Sequence, residues 1–415
     1  MANSATSPKW TTLPHHRRWL LDQADGLFDF FERQSINPAG GFFDLDEEGC
    51  PIARNAAGSA PARQIHATTR MVHCFAIARL MGRPSAEKFI DHGMEFLWNG
   101  HRDSVNGGYF WGIGDSGPSD DRKQAYGHAF VLLAASSAKI VGHPDADRLL
   151  ADVSEVLRSR FWEKSHGAVA EEFSRDWQPI SNYRGQNSNM HLTEATMAAF
   201  EATGDGAWLD MAESIATLII RKHAAAKDWR LPEHFDENWQ LDRDYAGGDM
   251  FRPYGTTPGH WLEWTRLLLQ LWELGGRKLS WLPDAAKALF EQAITVGWNA
   301  ELGGFHYTLD WAGRPHLKNR LWWPCAEGIG AAHFLNATHG ASLYEEWYRR
   351  IWDFVADRLI DRDHGGWKTE AIDPTEKSAG LFEGKPDLYH ALQACLIPLL
   401  PTSGTITRGL ATVGL

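Results

Sequence analysis

The sequence predicts an all-α fold, an (α/α)6 barrel in which six helical hairpins close into an inner and an outer ring, with short β-hairpins or Gly-rich loops at one end. Three observations predict it: Gly-rich punctuation at even intervals, two helical patterns between successive marks, and a last helix that takes the first as its partner. The Gly-rich stretches are GGFFDLDEEGCP from Gly40, GGYFWGIGDSGP from Gly107, HGAVAEEFSRDWQP around Gly167, GGFHYTLDWAGRP from Gly303 and GGWKTEAIDP from Gly365. They recur about every 60 to 67 residues, with one doubled gap after Gly167 that hides a degenerate member near LPEHFDENWQ. Each carries short aromatic alternation followed by Gly or Pro, as expected of a small hairpin or irregular loop.

Between these marks the helices come in pairs. HATTRMVHCFAIARLM places Met71, Cys74, Phe75 and Ala78 at helical spacing, and SAEKFIDHGMEFLW follows it. Similar pairs are predicted over 124–141 with 145–161, 188–203 with 206–223, 258–275 with 282–298, and 324–338 with 342–360. The sixth pair combines an N-terminal helix near 15–34 with a C-terminal one near 387–400, so the natural closure is a ring rather than an open solenoid. At 415 residues and 43% hydrophobic content the chain can bury one large core, and residues 1–415 are read as a single domain.

Composition removes several function classes. With 41 basic against 53 acidic residues the net charge is −12, which disfavours a phosphate-backbone partner such as nucleic acid. No run of about 18 apolar residues suggests a membrane span, and MANSATSPKWTTLPHHRRW has no apolar core of a signal peptide. Cys50, Cys74, Cys325 and Cys395 have no CxxC spacing, so they are read as reduced core thiols of a soluble, cytoplasmic protein, monomer or homodimer. No GxGxxG after a strand and no GxxxxGK[ST] loop is present, so nucleotide cofactors have no support.

In such a barrel the inner helices run parallel and their first turns face one another across one mouth. The helix at 258 starts with Thr257 as N-cap and Pro258 as first residue, and puts His260 and Glu263 in its first turns. PARQIHATTR supplies Arg63, His66 and Arg70; NSNMHLTEA supplies His191 and Glu194 after a Ser188 cap; WWPCAEG supplies Glu327 after Pro324; GKPDLYHAL supplies His390 after Pro386. Three of these five helices are expected to start at a proline. One His-x-x-Glu says little, because most helix histidines are simply satisfied; the convergence says more.

The residue types point to a sugar and to proton transfer. There are 20 Trp against 9 Tyr, with Trp111, Trp177, Trp239, Trp322 and Trp323 in loops near the mouth, and flat faces with polar edges suit sugar rings. Most of the 20 are core filler, and the tandem Trp322-Trp323 is the exception. A helix N-terminus disfavours an imidazolium whereas a neighbouring carboxylate favours it, and the two influences keep a histidine poised for proton shuttling. Two such histidines with Arg donors suit proton removal beside a carbonyl and stabilisation of an enediolate, hence aldose–ketose isomerisation or 2-epimerisation. Three alternatives stand beside this: a mixed His/carboxylate metal centre, disfavoured by the arginines and by the lack of HExxH; a glycoside hydrolase using Glu263 and Glu327; and a non-catalytic sugar binder.

The segments TTRMVHCFA, KQAYGHAF, NMHLTEA, FRPYGTTPGHWLEW, NRLWWPCAEG and DLYHALQACLIP resemble the N-acylglucosamine 2-epimerase superfamily over nearly the whole chain, and its aldose–ketose isomerase branch in particular. The resemblance implies the same barrel and cofactor- and metal-independent conversion of mannose to fructose, with lyxose a further substrate, through a cis-enediol. It implies catalytic roles for His260, His390, Glu263 and Glu327 and substrate contacts from Arg70, Asn187, His191, Arg252 and Trp322. With the two side by side at the start of the helix, Glu263 is expected to orient His260. The disaccharide epimerases of the superfamily carry an extra aromatic shortly before the last histidine, where this chain reads EGKPDLYH, so a monosaccharide is expected. Sulfosugar members carry a polar side chain where Pro386 stands, which favours mannose over sulfoquinovose.

Overall fold

The computed structural model describes residues 8–54, 58, 60–247, 250–373 and 380–413. Residues 1–7 of the N-terminal stretch and Pro374 of the last Gly-rich stretch therefore lie outside the described residues. Among the described residues thirteen α-helices follow one another: α1 (Pro14–Glu32), α2 (Ile65–Leu80), α3 (Ala86–Phe96), α4 (Ala125–Ile140), α5 (Ala146–Val156), α6 (Gln186–Thr203), α7 (Ala207–Ala216), α8 (Pro258–Leu274), α9 (Trp281–Gln292), α10 (Trp322–His339), α11 (Ser342–Arg358), α12 (Tyr389–Leu396) and α13 (Ile406–Val413).

The even-numbered helices α2 to α12 form the inner ring. Each packs on the next, and α12 packs back on α2, so the ring is closed. Apart from the polar residues they carry to the site, their residues are apolar or small, and the faces of α4, α8 and α10 are buried nearly all round, as a helix enclosed between neighbours requires. α3, α5, α7, α9 and α11 each pack on the preceding inner helix, and α1 packs on α12. These outer helices have one apolar stripe, as Phe89, Ile90, Gly93 and Met94 show in α3. The sixth pair therefore joins the two ends of the chain as predicted. A thirteenth helix was not anticipated: α13 packs on α2 and α4, while Thr405 N donates to Glu201 at 3.0 Å and Gly404 O accepts from Gln270 at 3.0 Å.

The connections at the other end repeat one device. A cation immediately before an inner helix turns back to fasten the preceding Gly-rich loop: Arg63 donates to Ala39 O (3.1 Å) and Gly40 O (3.2 Å), and Lys123 to Asp103 (3.0 Å) and Gly107 O (2.9 Å). Arg320 donates to Leu302 O (3.1 Å), and Lys385 to Asp361 (2.7 Å) and Gly365 O (2.8 Å). Arg63, expected at the mouth, is thus a loop fastener. The degenerate unit is strand-paired too, with Arg184–Gly185 antiparallel to His234–Phe235 from the far side of α6 and α7.

Helix starts differ from expectation in an informative way. Thr257 precedes α8, but its hydroxyl has no hydrogen-bond partner, and Ser188 lies inside α6, with Gly185 at the cap position. Carboxylates from the preceding hairpins cap instead. Glu171 accepts from Gly185 N (3.1 Å) and Ser188 Oγ (2.6 Å), and Glu233 accepts from Thr257 N (3.2 Å) and lies 2.9 Å from His260 Nδ1. A buried carboxylate at the positive end of a helix does this better than a hydroxyl. Only α8 begins at its proline among the three helices so predicted: Pro324 is the third residue of α10 and Pro386 precedes α12. Cys74, Cys325 and Cys395 are buried free thiols as expected, whereas Cys50 is exposed on a loop and is not a core thiol. Among the described residues no helix is long and apolar enough to cross a membrane.

Candidate active site

The first two turns of all six inner helices line one cavity. Its walls are Arg70 from α2, Tyr126 from α4, Asn187 and His191 from α6, His260 and Glu263 from α8, Trp322 and Trp323 from α10, and His390 from α12. The loops between helices add Met250, Phe251, Tyr307 and Phe382. Arg70, Asn187, His191, His260, Glu263, Trp322 and His390 were all expected here from the sequence. Met250 and Phe251 come from the loop that ends at Gly255, where a positive φ of 97° and a Cβ position 2.2 Å from Leu309 O both call for glycine.

Two imidazoles dominate the site, and each is backed by a carboxylate. His260 Nδ1 lies 2.9 Å from Glu233 Oε2, and His390 Nδ1 lies 2.9 Å from Glu327 Oε1. With Nδ1 donating to the carboxylate, Nε2 of each ring is the nitrogen left for the cavity. Both rings pack on Trp323, with centroids 5.2 Å (His260) and 5.9 Å (His390) from it. Gly259 makes that possible, because a Cβ there would fall 2.3 Å from the Trp323 ring. Behind His260, Trp264 Nε1 donates to Gln186 Oε1 (2.8 Å), which turns the Gln186 amide so that Nε2 donates to Glu233 (2.7 Å).

Below the histidines lies a buried charge cluster. Arg266 donates to Glu327 (3.1 Å) and Glu194 (3.3 Å) and stands 3.8 Å from Glu263, while Tyr389 OH donates to Glu194. Burial alone would push the Glu327 carboxyl up, but Arg266 and the hydrogen bond from His390 outweigh it and hold it at about 2, so Glu327 is a fixed anion. Glu263 goes the other way. Burial first, and the Glu327 charge second, push it well above the ordinary range and so favour its neutral, O–H-bearing form. His191 is held well below its usual value by burial and then by Arg70, and its Nδ1 lies 3.5 Å from Glu263 Oε1. His191, Glu194 and Glu263 have potential metal-ligand atoms within 4.8 Å of one another, but the Arg266 guanidinium already stands among them with the counter-charge a cation would bring.

Several expectations are corrected. Glu263 does not hold His260; Glu233 does, and Glu263 faces His191 and Arg266. Glu327 is not in the cavity wall but lies beneath His390 as its partner. Arg252 is committed to Glu171 (3.3 Å) and Glu172 (3.2 Å), and its neighbour Phe251 takes the wall position instead. His66 stacks on Trp111 at 5.2 Å outside the cavity wall, Trp177 packs on His128 and Phe161, and Trp239 is fully buried. The absent aromatic is also corrected: Phe382, eight residues before His390, lines the cavity and packs edge-on to Trp322 at 4.9 Å. Glu233 was within reach of the sequence, because EEF at 171–173 and EHF at 233–235 are equivalent members of the repeat.

The model of the family described as N-acylglucosamine 2-epimerase (GlcNAc 2-epimerase) matches residues 40–394. The chain belongs to the N-acylglucosamine 2-epimerase family. Within that family it is 42% identical to a D-mannose isomerase of Pseudomonas cannabina pv. alisalensis, over 99% of this chain and 99% of that protein. It is also 42% identical to a D-mannose isomerase of Thermobifida fusca, over 98% of this chain and 99% of that protein. A crystal structure of D-mannose isomerase superposes with a TM-score of 0.86 at 31% identity, covering 95% of this chain and 99% of the other.

Proposed function

We propose that this cavity interconverts D-mannose and D-fructose through a cis-enediol, by proton transfer at two histidines and without a metal or cofactor. The observation that carries the reading is the pair of imidazoles on one cavity, each with Nδ1 tied to a buried carboxylate and Nε2 free for substrate. Supporting it are the family membership and the D-mannose isomerases that match end to end.

A closed pyranose has no free carbonyl, so the first step is ring opening. His260 takes the anomeric hydroxyl proton or protonates the ring oxygen, and the Glu233 carboxylate stabilises the imidazolium that forms. The open aldose then presents C1 as a carbonyl and C2–H as its acidic position. His390 removes the C2 proton, electrons move to form the C1–C2 double bond, and the C1 oxygen takes up negative charge or a proton. Arg70 and the neutral acid Glu263 both stand in the wall as donors to that oxygen or its neighbours. The same imidazolium returns its proton to C1 as the C2 hydroxyl gives its own to the C1 oxygen, or back to the wall donor that protonated that oxygen, leaving the 2-ketose. Glu327 and Arg266 keep the His390 ring in one orientation through both transfers. Asn187, His191, Trp322 and Trp323 hold the sugar, with the apolar ring faces against its C–H face.

His390→Ala tests the assignment. It is expected to abolish isomerisation and C2–H exchange with solvent in protein that still folds, because a general base supplies roughly 10²- to 10⁴-fold in rate. Retention of more than about a tenth of wild-type kcat would move the proton carrier to another residue.

A further inference from the structure

Asp387 takes no part in the steps above, yet its carboxylate is only 3% exposed and reaches three parts of the cavity wall. Oδ2 accepts from Trp322 Nε1 at 2.9 Å and from the backbone N of His390 at 2.9 Å, while Oδ1 faces Arg70 Nη1 at 3.5 Å. These contacts tie α10, α12 and α2 together across the seam where the ring closes. One side chain thus caps the start of α12, fixes the indole of a wall tryptophan and supplies the counter-charge to a wall arginine.

The Arg70 guanidinium lies over the rings of Phe130 (4.5 Å) and Tyr389 (4.9 Å), and Nη2 donates to Tyr126 OH at 3.0 Å. Among the described wall residues Arg70 is the only Lys or Arg, so it is the one fixed positive charge of the cavity, and Asp387 cancels it. A sugar that carries a phosphate, sulfonate or carboxylate would give up its hydration on entry and meet no net positive charge in return. Pro386, the position from which the sequence argued against anionic sugars, is exposed and outside the wall; the discriminating group is its neighbour.

We propose that Asp387 is a positioning and specificity residue: it holds Arg70 and Trp322 in place and neutralises Arg70, so that the cavity takes uncharged sugars and rejects anionic ones. The identity of the neutral sugar rests on the isomerase reading. The rejection of anions follows from the Arg70–Asp387 pair alone.

The test compares wild type with Asp387→Asn and Asp387→Glu by isothermal titration calorimetry with inorganic phosphate, and by mannose turnover with mannose 6-phosphate as competitor. Loss of the charge in Asp387→Asn is expected to tighten phosphate binding and mannose 6-phosphate inhibition by about tenfold or more and to raise the KM for mannose more than it lowers kcat. Asp387→Glu, which keeps the charge, should restore weak phosphate binding, and the gain should vanish in an Arg70→Met background. A merely structural role would lower the melting temperature and leave phosphate affinity unmoved. Unchanged phosphate affinity in Asp387→Asn, or a gain that survives Arg70→Met, overturns the proposal. Should Asp387→Asn not fold, Asp387→Ser keeps an oxygen for the His390 N–H and takes its place under the same criteria. Failure of the isomerase reading would show instead as wild-type protein without mannose turnover, and the calorimetric comparison would still decide the role of Asp387.

Discussion

Glu233→Gln is the perturbation that probes the His260 assembly most selectively, because it keeps the volume of the side chain and removes only one acceptor and the charge. In the native site Oε2 meets His260 Nδ1 at 2.9 Å and Gln186 Nε2 at 2.7 Å, while Oε1 accepts from Thr257 N at 3.2 Å. All three neighbours offer hydrogens, and an amide has a single oxygen. With the amide nitrogen at the Oε2 position, His260 must accept at Nδ1 and carry its proton on Nε2, the wrong tautomer for a base. With the nitrogen at the Oε1 position, the buried Thr257 N–H is left unpaired, which costs about 1–3 kcal/mol of stability. In both cases the anion that stabilises an imidazolium is gone. The expected loss is that of a general base, roughly 10²- to 10⁴-fold in kcat/KM, or about 3 to 5 kcal/mol in the barrier. The assay is mannose-to-fructose turnover alongside calorimetric melting of the same preparation. A variant that melts within a few degrees of wild type and keeps more than about a tenth of its kcat/KM would refute the view that Glu233 sets the protonation of His260.

Two further outcomes follow from the same site. Activity should survive exhaustive EDTA treatment, since the Arg266 guanidinium supplies the counter-charge for Glu194 and Glu327; complete loss restored by one divalent ion would contradict this. Glu327 has its folded pKa depressed from 4.5 to about 2, so its ionisation stabilises the fold fully above the ordinary value and that contribution is lost as pH falls toward 2. Glu327→Gln should therefore melt below wild type at neutral pH, with a gap that closes on acidification, and a gap independent of pH would show that the ion pair with Arg266 and His390 is not its source.

Much of the architecture was legible because it is written in periodicity. Six hairpins could be counted from Gly-rich marks such as Gly107-Gly108 and Gly303-Gly304, and ring closure followed from the absence of any other partner for the helix around His390. The wall residues on helices were legible for the same reason: once α6 and α8 run parallel, His191 and His260 must share a mouth. What escaped were residues whose roles depend on loops. Glu233 lies in the degenerate repeat, and its function as cap and imidazole partner arises only when the strand at 234–235 pairs with the one at 184–185 beside the start of α8. Arg252 and Phe251 are adjacent in sequence, and only the loop path decides which of them meets the cavity. The pairing of Glu263 was misread because helical spacing favours His260 as its neighbour, whereas burial between α6 and α8 turns it toward His191 and Arg266.

The measurement that bears most directly on the central claim is proton NMR of D-mannose incubated with the wild-type protein in D2O. Transfer by His390 between C2 and C1 predicts fructose as the product, with deuterium entering at C1 of the fructose and at C2 of the recovered mannose as the imidazolium exchanges with solvent. Mannose recovered unchanged, or glucose as the first product, would each contradict the account.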